Sequence, residues 1–415
     1  MKANRKEVIL LSQYFFPDIA STGLLLTELC IGLVSKGFKV KVFTAKPNYD
    51  NKIIADSEEN YNDILIKRLF CLRLNKNNKI FNILNSISYF MSVLFYVMFK
   101  EEKGIFLIVS NPPFLAIAGL FVKYFKGNDF IYLIHDLFPE AGINLGMLKK
   151  DSLITKLWDL FNKYTFRLSK KVVVLSESMK TVVDNKIAGF ECNNDSKIPL
   201  MDKVEVIHNW ANDDFCIDIK REDNPFFAKF NIVNKFVVLY SGNLSILYKL
   251  DIILDAAKKM IDSNTVFVFI GDGSHKNELV ELKNRHSLTN VYFFPYQKYS
   301  DVKYTLNTAD VLILSTKEDF DGVSVPSKLY TYLAAGKTII SFAKKDSDIY
   351  NIISDAKCGF CLNYDDVNDF VNKLYYLQNN PELIIECSQN ARDYFKNNFS
   401  FGIALKEYIN ILSSV

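Results

Sequence analysis

Residues 318–340 read EDFDGVSVPSKLYTYLAAGKTII, which joins an acidic loop, a Pro-Ser-Lys step and two apolar runs separated by a glycine. Pro326 suits the first turn of a helix, and Gly336 suits the C-terminal cap of that helix. The run from Lys337 to Ile340 is typical of a buried strand. A loop, a helix and a strand in this order predict one repeat of an α/β sheet.

Lys328 gives the stretch a chemical character. It stands in the predicted first turn, where the helix dipole favours acidic residues by about 0.3–1 kcal/mol. A cation at this position is better explained if an anion binds beside it, and the free N–H groups of a helix start suit a phosphate. A solvated surface lysine is the alternative that this stretch alone leaves open.

The composition is that of a folded chain with more than one domain. Its 415 residues exceed one ordinary core, which predicts two or three domains, and a hydrophobic content of 49% excludes a disordered chain. The net charge of +3 gives no reason to expect nucleic acid as a partner. The N-terminal residues lead directly into a strand without a signal-peptide pattern, which predicts chemistry in the cytoplasm.

The cysteines do not indicate a disulfide framework, because the seven of them are odd in number and scattered along the chain. Cys358 and Cys361 form a C-x-x-C pair. No second pair lies nearby, which disfavours a zinc site, and a redox role is the alternative that remains.

The first half of the chain alternates strands and helices. Residues 7–11 (EVILL) predict a buried strand, and the next loop delivers Ser21, Thr22 and Gly23 to the start of a helix. A later strand, FIYLIHD, ends at His135 and Asp136. This alternation predicts a doubly wound parallel sheet, whose ligands bind at the carboxyl ends of the strands.

Residues 80–99 contain no charged side chain and would form a helix about 30 Å long, enough to cross a bilayer. Asparagine, serine and tyrosine residues lie close to one stripe of this helix, and basic residues flank it. The pattern is compatible with a helix lying on a membrane surface or with a core helix. A true span is disfavoured because a parallel-sheet strand follows at once.

A second α/β series follows an irregular polar segment, and we expect a domain linker at about residues 211–225. Four strand-end loops of this half, SGNL, GDGS, FPYQ and DGVSVPSK, are rich in glycine or open helices. Two such halves predict a cleft between them, and these loops suit a nucleotide sugar whose diphosphate lies at a helix start.

The chain resembles the retaining GT-B glycosyltransferases of family 4, most of all the bacterial branch of colanic-acid and O-antigen fucosyl- and N-acetylfucosaminyl-transferases. The segments that carry this resemblance span nearly the whole chain and read QYFFPDIASTG, SNPP, HDLFPEAGINLGML, HNWAND, YSGNL, FIGDGS, FFPYQ and VPSKLYTYLAAGKTII. It implies two Rossmann-like doubly wound domains that face each other across a cleft. The expected domains are residues 1–212 for the acceptor, with the apolar helix 80–100, residues 213–398 for the nucleotide sugar, and a C-terminal helix 399–415 packing on the first domain.

The resemblance also implies functional residues. His135, Asp136 and Lys328 would form the catalytic set, while Ser21 and Thr22 would approach the acceptor. The implied donor-binding residues are Gly23, Gly242, Asn243, Lys249, Gly271, Asp272, Pro295, Tyr296, Glu318, Ser324, Val325, Ser327 and Lys328. No metal and no cofactor is expected.

The sequence departs from the wider family at two places. Many members carry two glutamates eight residues apart, whereas this chain has Val323 and Thr331 at those positions. The loop after Gly242 lacks the usual arginine, so Lys249 is the remaining candidate for a second phosphate contact.

The resemblance implies that the chain transfers a sugar such as L-FucNAc, with retention, from UDP to a polyprenyl-diphosphate-linked saccharide. The expected setting is capsule or O-antigen synthesis, with the protein peripheral on the cytoplasmic face of the bacterial inner membrane. Two other classes remain open: a sugar-nucleotide epimerase of similar architecture, and a non-catalytic assembly partner at the membrane.

Overall fold

The computed structural model describes residues 6–18, 20–47, 55–74, 79–191, 203–230, 232–316 and 319–415. The chain divides into two compact units. The first comprises Met1–Asn209, Gly322–Val325 and Gly402–Val415, and the second comprises Trp210–Asp321 and Pro326–Phe401. The expected boundary at residue 212 lies three residues from this division, but the assignment of the short segment 322–325 to the first unit was not anticipated.

The first unit is built on an eight-stranded sheet within the described residues. Its strands are β1 (Glu7–Leu11), β2 (Lys39–Ala45), β3 (Glu58–Tyr61), β4 (Ile64–Leu69), β5 (Ile105–Val109), β6 (Phe130–Ile134), β7 (Lys171–Val174) and β8 (Val204–Val206). They lie in the order β3-β4-β2-β1-β5-β6-β7-β8, and all pairs are parallel except β3 with β4. The chain leaves β1 towards β2 and later returns to its other side at β5, which creates a switch point where such sheets bind ligands.

The helices of this unit follow the predicted alternation. They are α1 (Ser21–Ser35), α2 (Lys79–Phe99), α3 (Ile117–Lys126), α4 (Glu140–Asn144), α5 (Leu153–Leu168) and α6 (Glu177–Glu191). The predicted strand at residues 7–11 is confirmed. The helix predicted after the first loop is present, but it begins at Ser21 and includes the three residues expected at the end of that loop. The hairpin of β3 and β4 was not predicted.

The second unit is built on a six-stranded parallel sheet within the described residues. Its strands are β9 (Phe236–Ser241), β10 (Thr265–Ile270), β11 (Val291–Phe294), β12 (Val311–Ser315), β13 (Thr338–Phe342) and β14 (Gly359–Leu362), in the order β11-β10-β9-β12-β13-β14. Ser241 pairs with Ile270, and Ile270 pairs with Phe294, so these three strands end side by side. The switch point lies between β9 and β12, and the loops that follow these two strands are therefore the expected ligand-binding loops.

The helices of the second unit are α7 (Pro225–Phe230), α8 (Asp251–Lys259), α9 (Lys276–Arg285), α10 (Tyr299–Asn307), α11 (Lys328–Ala334), α12 (Asp348–Ala356), α13 (Val367–Gln378) and α14 (Pro381–Asn398). The C-terminal helix α15 (Phe401–Ser414) belongs to the first unit from Gly402 onwards. The predicted C-terminal cap is confirmed, since Gly336 has a φ of +58° after α11. The predicted helix start is two residues early, because Ser327 is the N-cap and Pro326 lies outside the helix. Cys358 and Cys361 are both free thiols, and Cys358 is buried.

Candidate donor and acceptor sites

Lys328 lies at the start of α11 and turns towards the end of β9. Its ammonium donates a hydrogen bond of 2.7 Å to the hydroxyl of Tyr240. The same nitrogen lies 4.1 Å from the ring centroid of Tyr240 and 5.0 Å from that of Tyr248. The rings of Tyr240 and Tyr248 and the Tyr240 hydroxyl therefore fix this lysine, which excludes the alternative of a freely solvated surface lysine.

Burial lowers the pKa of Lys328 to about 7. No carboxylate of the described residues forms an ion pair with its ammonium, which instead contacts the rings of Tyr240 and Tyr248 and the Tyr240 hydroxyl. A cation that is desolvated and lacks a counter-charge gains more from a bound anion than a solvated one does. The position thus has the electrostatics of an anion site.

Glycines make this arrangement possible. Gly242 follows β9 with a φ of +136°, and a Cβ there would lie 2.3 Å from Cε and 2.6 Å from Nζ of Lys328. Gly271, with a φ of +147°, follows β10, and its Cβ would lie 1.9 Å from the carbonyl oxygen of Gly242. Any side chain at either position would collide with the lysine or with the adjoining loop.

The strand-end loops after β9, β10 and β11 are tied together by backbone hydrogen bonds. The amide of Leu244 donates to the carbonyl of Asp272 at 2.9 Å, and the amide of Gly271 donates to the carbonyl of Phe294 at 2.9 Å. Tyr296 is 55% exposed, and its hydroxyl donates to the Asp272 carbonyl at 3.4 Å. The predicted donor residues Gly242, Asn243, Gly271, Asp272, Pro295 and Tyr296 thus lie along one continuous edge of the sheet.

Lys249 lies on the loop that also carries Tyr248. It has a φ of +46°, and its ammonium lies 5.1 Å from the ring centroid of Tyr364. The hydroxyl of Tyr364 donates to the carbonyl of Thr316 after β12 at 2.8 Å. The loop therefore brings a second cation to the β12 side of the switch point.

In the first unit, His135 and Asp136 follow β6. The amides of both residues donate to the hydroxyl of Ser110 after β5, at 2.9 Å and 3.2 Å. Burial lowers the pKa of His135 to about 4, so its imidazole is neutral at pH 7. A neutral imidazole can donate one hydrogen bond and accept another, which suits a sugar hydroxyl and excludes a role as a cation.

The segment 322–325 is attached to this same loop. Asp136 pairs with Ser324 in an isolated antiparallel bridge, and the amide of Leu137 donates to the carbonyl of Val323 at 2.9 Å. Gly322 has a φ of +71°, and a Cβ there would lie 2.9 Å from Cγ2 of Val182 in α6. Ser324 and Val325, which we expected with the phosphate-binding residues, therefore belong to the first unit with the His135 loop, while Ser327 and Lys328 belong to the second.

Ser21, Thr22 and Gly23 form the first turn of α1, whose N-cap Ala20 provides no side-chain hydrogen bond. A Cβ at Gly23 would lie 3.3 Å from the carbonyl of Asp18, so the loop after β1 packs closely on this turn. The turn presents small side chains and free amides at the carboxyl edge of the sheet, at the switch point of the first unit.

Glu318 lies outside the described residues. Among those described, no group of three or more His, Cys, Asp or Glu side chains has an arrangement that would hold a metal ion. Three residues of the sites were missed from the sequence: Tyr240 and Tyr248, which contact Lys328, and Ser110, which fixes the His135 loop. All three lie at or just after the ends of predicted strands, where ligands bind in such sheets, and this placement could have identified them from the sequence.

Residues 222–394 match the family model of glycosyl transferases group 1. This match covers most of the second unit, including Lys328 and the glycine loops. The chain is also 28% identical to the probable glycosyltransferase WbjE of Pseudomonas aeruginosa, over 69% of this chain and 70% of the relative. It is 23% identical to the putative colanic acid biosynthesis glycosyl transferase WcaI of Escherichia coli K12, over 81% of this chain and 83% of the relative.

Solved structures with similar folds cover nearly the whole chain. Sucrose-phosphate synthase of Thermosynechococcus elongatus superimposes with a TM-score of 0.75 at 13% identity, over 99% of this chain and 100% of that one. Alr3699/HepE of Anabaena, solved in complex with UDP, gives a TM-score of 0.72 at 12% identity, over 99% and 100% of the two chains. WaaG, a glycosyltransferase involved in lipopolysaccharide biosynthesis, gives 0.68 at 15% identity, over 97% and 99%. The chain has the GT-B fold with two Rossmann-like domains, which confirms the predicted fold class.

Proposed function

We propose that the protein is a glycosyltransferase that moves a sugar from a nucleoside diphosphate to a saccharide acceptor with retention of the anomeric configuration. The observation that carries this proposal is Lys328, a desolvated lysine with no carboxylate partner among the described residues, at the switch point of a sheet that matches glycosyl transferases group 1. The glycosidic bond to the diphosphate breaks and its electron pair leaves with the diphosphate. The acceptor hydroxyl forms the new bond on the face of the sugar that the diphosphate leaves, and it gives its proton to an oxygen of the departing diphosphate.

The leaving diphosphate is the group that gains charge as this bond breaks. Lys328, with the amides of its loop, stabilises that charge, and one preorganised donor of this kind contributes about 2.7–4 kcal/mol to the transition state. Ser327 at the N-cap and Lys249 on the neighbouring loop are further phosphate contacts in this proposal. Because a lysine supplies the charge, the reaction requires no divalent metal.

His135 acts in this proposal on the sugar and not on the phosphate. Its neutral imidazole hydrogen-bonds a hydroxyl of the transferred sugar, and Ser110 holds the loop in place by accepting hydrogen bonds from the two strand-end amides. Asp136 contributes through the same loop. Ser21 and Thr22, at the first turn of α1, approach the acceptor.

The substrates are proposed from the resemblance and from the relatives. The relative WcaI is named for colanic acid biosynthesis, and the similar structure of Alr3699/HepE contains UDP. We accordingly propose UDP as the nucleotide, an N-acetylated deoxyhexose such as L-FucNAc as the sugar, and a polyprenyl-diphosphate-linked saccharide as the acceptor. The setting is capsule or O-antigen synthesis on the cytoplasmic side of a bacterial inner membrane.

A donor screen tests this proposal. Purified protein is incubated with individual UDP- and GDP-sugars, and binding is scored by the shift in melting temperature. We expect a UDP-sugar to stabilise the wild type and to stabilise Lys328→Met much less, because the variant keeps the volume of the side chain and loses the charge. A shift of equal size in both proteins would contradict the proposed diphosphate site.

A sugar-nucleotide epimerase is separated from a transferase by its products. Incubation of the selected donor without acceptor yields an epimerised sugar in the first case, and the donor sugar stays unchanged in the second. A non-catalytic assembly partner would bind no nucleotide in the same screen.

A further inference from the structure

Helix α2 buries two polar residues, Asn85 and Tyr89, beside Val93 and Val97, and leaves most of its large apolar side chains exposed. Asn85 and Tyr89 are fully buried, whereas Ile80 is 67% exposed and Phe95 and Phe99 are 66% exposed. An ordinary surface helix has the opposite arrangement. By length and composition this is the single helix of the described residues that could cross a membrane, and 22% of its apolar window is buried.

Hydrogen bonds hold the helix in this inverted orientation. The side-chain amide of Asn85 donates to the carbonyl of Leu74 and accepts from the amide of Leu74, both at 3.0 Å. The hydroxyl of Tyr89 donates to the carbonyl of Phe43 in β2 at 2.8 Å. Rotation of α2 to bury its exposed apolar side would carry Asn85 and Tyr89 away from the backbone groups of Leu74 and Phe43 and break these three hydrogen bonds, so the exposed face is a fixed property of the fold.

The same face continues on two neighbouring helices. Helix α3 packs against both α2 and α5, and contacts of Phe114 with Phe90 in α2 and with Trp158 in α5 join the two outer helices. An apolar groove of about 230 Å³ opens between the start of α3 and α5. We call the combined surface the α2–α3–α5 face; its exposed large side chains include Ile80, Met91, Phe95, Phe99, Tyr124, Phe125, Leu153, Ile154, Leu157, Leu160, Phe161 and Tyr164.

Charges near this face are predominantly positive. Residues 80–100, 117–126 and 149–168 together contain eight Lys and Arg and two Asp. Helix α2 itself has no charged residue between positions 80 and 99. A broad apolar surface on segments with an excess of basic residues complements a bilayer that contains anionic lipid headgroups.

We propose that the α2–α3–α5 face docks on the surface of an anionic lipid bilayer, with α2 lying in the interface and not crossing it. A span is excluded by the connections, because α2 leaves β4 and returns to β5 within one sheet. A second copy of the chain is a poorer occupant, since two faces with the same excess of basic residues would repel each other. This inference rests on the proposed function, for which a lipid-linked acceptor would lie in the same bilayer.

The experiment is flotation of the full-length protein with phosphatidylcholine vesicles, with and without phosphatidylglycerol. We expect the wild type to float with the anionic vesicles, and Phe95→Glu to lower the fraction bound by at least about tenfold. Ile385 of α14 is 71% exposed and lies in the second unit, so Ile385→Glu is the matched control and should bind as the wild type does. Equal binding by Phe95→Glu and the wild type, or equal losses in both variants, would overturn the proposal.

Two further readouts separate the alternatives. Light scattering after gel filtration measures the oligomeric state. If the wild type is a dimer and Phe95→Glu is a monomer, the face binds a second copy of the chain and the bilayer proposal is wrong. UDP binding to Phe95→Glu is measured by calorimetry and should equal that of the wild type. Vesicle binding without any UDP binding would refute the proposed function and leave the docking face standing.

Discussion

The pH dependence of UDP binding follows from the environment of Lys328. Burial lowers the pKa of this lysine to about 7 in the free protein, so the fraction that is protonated falls about tenfold for each pH unit above 7. A bound diphosphate favours the ammonium form, and binding above pH 7 must therefore take up a proton. We expect the dissociation constant of UDP to rise by up to about tenfold per pH unit, or about 1.4 kcal/mol, between pH 7 and pH 9.

Calorimetry in buffers of different ionisation enthalpy measures both the affinity and the proton uptake. The phosphate of UDP ionises near pH 6, so its own titration is essentially complete above pH 7. Lys328→Met provides the comparison, because it fills the same space between the rings of Tyr240 and Tyr248 without titrating. This variant should bind UDP more weakly at pH 7 and show little change in affinity up to pH 9. A flat pH dependence in the wild type, or the same slope in both proteins, would refute the assignment.

Four further outcomes follow from the same geometry. Gly242→Ala should weaken UDP binding at least about tenfold in calorimetry while circular dichroism stays native, because its Cβ displaces the end of the Lys328 side chain and not the core. Tyr240→Phe should raise the donor KM more than it lowers kcat in steady-state assays, since it removes one hydrogen bond of about 0.5–1.5 kcal/mol and keeps the ring; an unchanged KM would argue against this contact. His135→Asn should retain more transfer activity than His135→Phe, because the amide also hydrogen-bonds a sugar hydroxyl; equal activities would refute that role. The folded pKa of Lys328 lies below its ordinary value of 10.5, so the unfolded chain binds more protons between pH 7 and 10.5. Stability to urea should rise with pH in that window by up to about 1.4 kcal/mol per unit, and Lys328→Met should lose this rise.

The alternating strands and helices were predictable because parallel strands buried on both faces are continuous apolar runs. The edge hairpin of β3 and β4 was not, since β3 reads EENY and lacks an apolar pattern. The sequence signal for this hairpin was the pair Asn62-Asp63, since these residue types tolerate the positive φ that both adopt in the turn.

The site was predictable only in part. Strand-end glycines indicate where ligands bind, but the direction of Lys328 depends on Tyr240, which is 88 residues distant in sequence. The stretch that carries this lysine also divides between two units, because residues 322–325 bond to the His135 loop. The polar stripe of α2 was visible in the sequence, whereas its inward orientation depends on partners such as Leu74 and Phe43.

The most direct test is transfer itself. The protein is incubated with the UDP-sugar selected by the donor screen and a polyprenyl-diphosphate-linked saccharide in anionic vesicles, and the lipid is analysed by mass spectrometry. We predict a product heavier by one sugar residue, formed with release of UDP and strongly reduced in Lys328→Met. Absence of this product with every UDP- and GDP-sugar that binds, or undiminished product with Lys328→Met, would contradict the account.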